Sequence, residues 1–332
     1  MKHISLFVAF ANVQFSDAMR VQQSAIGTLA IEKNESDVAL FQDCQSARTD
    51  AAAGPIYTKY QNKRVTVAGV EVTDLTCLGA GGFGLVFAGM TTRGLNVIVK
   101  FFFTAGRGRV DTRAFKWAEF IQAQVKKNPG ATGASYFMKA VTDAQVADDL
   151  YAQVWSRAYG FNLAQIEGPL HMNANYDLIG SGHNRSIYGF NNFFKQGASD
   201  TYNRKAFLTV LQKTMEGVLF LWRIGLEHGD IQRSNIMWDS EQLTFIDYDT
   251  MRFYNGGKNA DVADAVRISQ NWRAPKGKKA QIMQETFEAD EEIGSSFEKF
   301  QAFVEHFTES KVVLAAEPTN SELEALAREL DA

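Results

Sequence analysis

Cysteine is almost absent: the 332 residues hold two, Cys44 and Cys77. Neither belongs to a C-x-x-C pair or has a histidine at ligand spacing, so the chain offers no structural zinc site. The two read as buried free thiols, with one disulfide as the alternative in an oxidising compartment. Histidine is also scarce, at five residues. His171 and His183 have no partner at metal spacing and read as solvated loop residues. Positive charge is not in excess. Lys and Arg number 34 against 38 Asp and Glu, the net charge is −4, and no basic tract interrupts that balance. Phosphate backbones are normally met by a basic face, so a nucleic-acid partner is not expected. No stretch beyond the N-terminus approaches the ~18 apolar residues that span a bilayer. A mature chain with no membrane span, soluble, is the expectation.

What is present is an ordinary globular composition, 45% hydrophobic and 22% charged, on a chain long enough for two lobes. Met1-Lys2-His3 followed by I-S-L-F-V-A-F-A and Ser16-Asp17-Ala18 has the pattern of a signal peptide over 1–18. With cleavage the protein is secreted; otherwise it is cytoplasmic. Residues 19–62 are rich in Ser, Ala, Gln, Asp and Thr with weak periodicity, and read as a loosely structured or helical extension. From Lys63, R-V-T-V-A-G-V-E-V-T alternates polar and apolar residues, the period of a half-buried strand pair turning near Ala68-Gly69.

The segment Leu78-Gly79-Ala80-Gly81-Gly82-Phe83-Gly84-Leu85-Val86 carries a glycine-rich turn. A dinucleotide-binding loop would open a helix. Here it is followed by L-V-F-A-G-M, a turn at Thr92-Arg93-Gly94, and the strand N-V-I-V-K, which ends on Lys100. Glycines without side chains let backbone N–H groups approach phosphates closely. Lys100 stands among Val97, Ile98, Val99 and Phe101, where an unpaired ammonium would lose its proton. Glu119 is its candidate partner, on a predicted helix with Phe115, Ala118, Ile121 and Val125 at helical spacing and a stop at Asn128-Pro129-Gly130.

Downstream, Leu208, Leu211, Met215, Val218, Leu219 and Trp222 define a buried helix that stops at Gly225 and leads into H-G-D-I-Q-R-S-N-I-M-W-D-S-E-Q-L-T-F-I-D-Y-D, His228–Asp249. I-M-W and L-T-F-I read as a hairpin turning at Asp239, Ser240 and Glu241. Its base would gather Asp230, Asn235 and Asp247. Two carboxylates and an amide on one spot call for a hard cation that also keeps phosphate oxygens in its shell.

The order G-x-G-x-F-G-x-V, V-I-V-K, then D-x-x-x-x-N and a strand-end Asp resembles the protein-kinase-like superfamily in its atypical, H-G-D form. The resemblance covers roughly Val65 to Ala274. It implies an α+β, bilobal fold: a small antiparallel β lobe plus one helix over 63–167, and a mainly helical large lobe over 168–332 with an insertion near 171–200. It implies ATP and Mg²⁺, or Mn²⁺, as cofactors. Gly79, Gly81, Phe83, Gly84 and Val86 would cover the nucleotide, with Phe83 at the tip and Val86 against adenine. Lys100, anchored by Glu119, would bind phosphates. Backbone groups at Glu167 and Gly168 would meet adenine, in a hinge following the strand F-N-L-A-Q-I-E. Asn235 and Asp247 would hold metal, and Asp230 would orient the acceptor hydroxyl.

The sequence also departs from that pattern. Tyr248-Asp249 stands where the family has Phe-Gly, Gly229 where it has Arg, and Gln232 or Arg233 where many members have Lys. Regulation by loop phosphorylation is therefore not expected. Ile98 replaces the small residue over adenine and would crowd that pocket. W-R-A-P-K at Trp272–Lys276 resembles the end of an activation segment without its Glu. Residues 141–150 read as a short helix, Tyr151–Gly160 as a strand, and the C-terminal part as two or three helices over 261–272, around the phenylalanines 297–307, and over 321–330. Transfer of the γ-phosphate to Ser, Thr or Tyr of a protein substrate is the expected activity. A sugar or other small-molecule acceptor, or a nucleotide-binding scaffold without transfer, is the alternative.

Overall fold

The computed structural model describes residues 44, 48, 53–81, 84–103, 112–159, 161–163, 200–239, 241–268 and 277–331. The candidate signal peptide, Gly82, Phe83, Ile166, Glu167, Gly168, the insertion up to residue 199 and the W-R-A-P-K segment lie outside them. Mixed helix and sheet are observed, and every pairing between named strands is antiparallel.

Six strands form one sheet in the order β1-β2-β3-β4-β6-β5: β1 (Val65–Val67), β2 (Val70–Gly81), β3 (Gly84–Thr91), β4 (Asn96–Phe103), β5 (Ala140–Ala147) and β6 (Leu150–Ser156). The alternation seen around Ala68-Gly69 is the β1–β2 hairpin, with Val65 opposite Val72. One face of the sheet is filled by Val67, Val72, Leu85, Phe87, Val99 and Phe101. Against it packs a helix upstream of the expected boundary, α1 (Ala53–Tyr60), whose Tyr60 stacks on Phe101 at 4.4 Å between ring centroids. The structured part therefore begins before Lys63.

Cys44 and Cys77 are joined in a disulfide, which corrects the free-thiol reading. Cys44 lies 6.2 Å from Cys77, Cα to Cα, a span a disulfide bridges. Both residues are buried in the same core as α1.

The opposite face carries α2 (Arg113–Lys127), the predicted helix. Its Ala114, Phe115, Ala118 and Ile121 pack with Val86, Ala88, Ile98 and Trp155 into a core that continues through the helical part. Residues 141–150, read as a helix, instead belong to the β5–β6 hairpin. β5 is the last strand in the sheet order, and its residues are half-buried or exposed, so the in–out alternation that would have marked a strand is weak there.

The sheet ends at Ser156. Among the described residues of the expected strand F-N-L-A-Q-I-E, Phe161–Asn162 form β7. It pairs with the hairpin of β9 (Ile236–Trp238) and β10 (Leu243–Phe245), apart from the six-stranded sheet. The chain thus leaves the sheet about ten residues before Glu167.

The long helix α3 (Asp200–Arg223) buries Leu211, Met215, Val218 and Leu219 as its spacing predicts, and Gly225, at φ 78°, follows its end. Strand β8 (Leu226–Glu227) leads into the polar loop and pairs with β11 (Arg252–Phe253). The remaining helices are α4 (Ala260–Arg267), α5 (Gly277–Ala289), α6 (Phe297–Thr308) and α7 (Asn320–Asp331). α5 was not read from the sequence; its Ala280 and Met283 are buried.

The C-terminal stretch returns across the molecule to α2. Thr132 and Val313 exchange two hydrogen bonds, Asn128 Oδ1 accepts from the Ala316 amide, and Glu322 accepts from both Gln124 and Lys127. Leu326 of α7 is buried. No helix among the described residues is long and apolar enough to cross a membrane.

Candidate active site

The β9–β10 hairpin and the loop before it gather the polar residues as expected. Asn235 closes a short 3₁₀ turn, Arg233–Asn235, and is fully buried. Its amide donates 2.7 Å to Asp230 Oδ2 and 3.1 Å to the Asp230 carbonyl. Gln232 Nε2 donates to the same Oδ2 at 2.7 Å. Asp230 is half-buried, so its carboxylate is held by amides and still reachable from solvent.

Asp247 follows β10 with φ 65°, an unusual conformation for a residue with a side chain and one that tends to mark functional positions. Burial, then the neighbouring charge of Asp249, pushes its carboxyl up to about 8, with Lys100 opposing the shift. Its buried Oδ1 has no hydrogen-bond partner among the described residues.

Lys100, on β4, reaches the same cleft. Its Nζ lies 3.6 Å from Asp249 Oδ2 and 4.8 Å from the centre of the Phe102 ring. The ion pair expected with Glu119 is not what these side chains make. Glu119 is exposed on α2 and pairs with Lys116 at 2.9 Å. Glu119 shares α2 with the buried Phe115 and Ala118, but its own side chain is exposed.

Gly79 is buried in β2, and Gly81 pairs with Gly84 across the hairpin. Gly84 has a packing reason to be glycine, since a Cβ there would lie 1.8 Å from the Phe101 carbonyl oxygen. Val86 faces the cleft side of the sheet, opposite Lys100.

Between sheet and loop, Ile98, Ala114, Met138, Trp155 and Tyr248 line a small cavity of about 10 Å³ with Lys100, Asp247 and Asp249, room for roughly one water molecule. Ile98 is buried in this lining. Trp155, its cross-strand partner on β6, was not anticipated.

Two further residues position the loop. Asp261, buried in the first turn of α4, accepts the backbone N–H groups of His228 and Gly229, the latter at 2.9 Å. Burial pushes its carboxyl up to about 6 against those bonds. The signal was available: Asp261 is four residues from Ala265 and so shares the apolar face of its helix. His228 is fully buried and its Nε2 donates to the Ile246 carbonyl at 3.1 Å, tying the loop to the end of the hairpin. Gly229, where the resemblance has Arg, has φ 77°, and a Cβ would sit 2.5 Å from the Thr250 carbonyl oxygen.

Among the described residues no three His, Cys, Asp or Glu side chains are grouped to hold a metal by themselves. The donor set nevertheless suits Mg²⁺, which commonly binds through one or two carboxylates while phosphate and water complete its shell. Asp247, desolvated and with one oxygen unpartnered, is a carboxylate that a cation would relieve.

No family model matches the chain, and no curated protein matches it. Among solved structures it is similar to that of vaccinia related kinase 3, at 14% identity over 88% of this chain and 96% of that one, with a TM-score of 0.44. A likeness of that size speaks to neither activity nor substrate.

Proposed function

We propose that the chain is an ATP-dependent phosphotransferase of bilobal, protein-kinase-like fold, moving the γ-phosphate of Mg·ATP to a hydroxyl of a protein substrate. The observation that carries the reading is the convergence of Lys100, Asp230, Asn235 and Asp247 on one cleft. Asp230, fixed by two amides, is placed to accept the hydroxyl proton as the oxygen attacks phosphorus and ADP departs. Lys100 meets the phosphates. Asn235 and Asp247 would hold the metal, which when bound neutralises phosphate charge. Positioning and electrostatics supply nearly all of such catalysis. The Cys44–Cys77 disulfide supports the secreted alternative over the cytoplasmic one, because such bonds persist in oxidising compartments.

The large apolar side chains of Ile98 and Trp155 beside Lys100 favour a second reading, a scaffold of the same fold that transfers nothing. Incubation of the purified chain with radiolabelled ATP, Mg²⁺, and protein or sugar acceptors decides between them. Labelled acceptor is expected. A thermal shift with Mg·ATP but no label in any acceptor leaves the scaffold, and neither response overturns both readings.

A further inference from the structure

Asp249 brings a third carboxylate to a cleft that needs two groups for metal. Its surroundings hold it there. On one side Tyr248 is fully buried, with its hydroxyl 3.1 Å from the carbonyl oxygens of both Met138 and Phe245. On the other, Thr250 Oγ1 donates to the His228 carbonyl at 3.0 Å, and Met251 N–H donates back to the Tyr248 carbonyl at 3.2 Å. The backbone at 249 is thus pinned from both directions, and its side chain hydrogen-bonds the carboxyl of Asp247. Its carboxylate lies 3.6 Å from Lys100 Nζ, with the lysine side chain 13% exposed and the aspartate 38%. Lys100 is inside the cleft and Asp249 at its rim, on the path a polyanion would take to the ammonium.

We propose that Asp249 is a specificity-determining residue that excludes metal-free polyphosphate from Lys100, so that the site takes nucleotide as its divalent-cation complex. The inference rests on the phosphotransferase reading. A bare triphosphate approaching Lys100 meets the charge of Asp249 and competes with it for the ammonium. A cation carried with the phosphates answers the carboxyls of Asp247 and Asp249 and leaves Asp249 free to rotate toward solvent.

Two measurements on the full chain test this. In the first, binding of ATP with EDTA and of Mg·ATP is titrated for the wild type and Asp249→Asn. Asp249→Asn is expected to bind metal-free ATP at least tenfold more tightly than the wild type, with Mg·ATP affinity changed less than threefold. Equal metal-free affinities overturn the proposal, as does a tenfold loss of Mg·ATP binding, which would make Asp249 a ligand of the metal. The second needs no nucleotide: the rate at which Lys100 is acylated by an amine-directed reagent, followed by peptide mass spectrometry, should rise at least fivefold in Asp249→Asn. An unchanged rate overturns the proposal whatever the nucleotide does. A raised rate with no nucleotide bound by either protein upholds the shielding of Lys100 by Asp249 and sinks the phosphotransferase reading.

Discussion

The buried amide of Asn235 donates to Asp230 Oδ2 at 2.7 Å, so the proposed base and one proposed metal ligand are fastened to each other before any ligand arrives. Asp230→Ala removes the proton acceptor and is expected to lower phosphate transfer by about 10²–10⁴. It also removes one of the hydrogen bonds of the Asn235 amide, costing about 1 kcal/mol, while the bond to the residue-230 carbonyl stays. Rate assays with circular dichroism check both. Full transfer by a folded Asp230→Ala protein would falsify the mechanism.

Acid should act through His228. Burial lowers its ring to about 4 from 6.5. The folded value is the depressed one, so the neutral ring contributes stability that is complete above 6.5 and lost as pH falls through about 4. By that pH the loss is about 3 kcal/mol. Asp261, raised to about 6, runs the other way, losing its contribution as pH rises through 6. The difference between wild type and His228→Gln isolates the histidine. The wild-type advantage in urea unfolding is expected to shrink from pH 7 to pH 4, and a constant difference refutes the assignment.

Gly84→Ala is expected to destabilise by about 3 kcal/mol or more, because the new methyl would meet the Phe101 carbonyl rather than a side chain that can yield. The loss should appear in thermal unfolding without any nucleotide. If stability is unchanged, the glycine is there for the ligand alone.

Leu326→Ala on α7 should cost about 2–3 kcal/mol as a buried large-to-small change. Hydrogen exchange should rise in α2 more than in α6, since α7 packs on α2. Equal protection in both helices would show that the C-terminal stretch does not steady α2.

Reduction of the Cys44–Cys77 bond releases a constraint spanning 33 positions and is expected to remove about 3–4 kcal/mol on the loop-entropy view. Unfolding of the protein with and without reductant, or of Cys77→Ala, measures it. No change means that the packing of α1 alone holds the segment.

The sequence made some of this plain and hid the rest, for physical reasons. The glycine hairpin, β4 with its lysine, α2 and the β9–β10 hairpin announce themselves because each pairs strong periodicity with a turn or cap, and their order carries Asp230, Asn235 and Asp247. Side-chain pairing is not written in spacing. Glu119 is in the right helix but turned toward Lys116, while Asp249, noted as a replacement for glycine, takes the lysine. The β5–β6 hairpin was half missed because β5 is an outer strand with little apolar contrast. The disulfide depended on where a weakly patterned segment folds back. The way out of the sheet at Ser156 was misplaced because Phe161–Asn162 looks like a sheet strand and pairs elsewhere.

The bond from Gln124 to Glu322 joins positions 198 residues apart. At ribosomal speeds of about 5–20 residues per second, roughly 10–40 s pass between the emergence of one and the other. A nascent chain therefore exposes one flank of α2, the helix beside the cleft, until Glu322 has emerged to cover it.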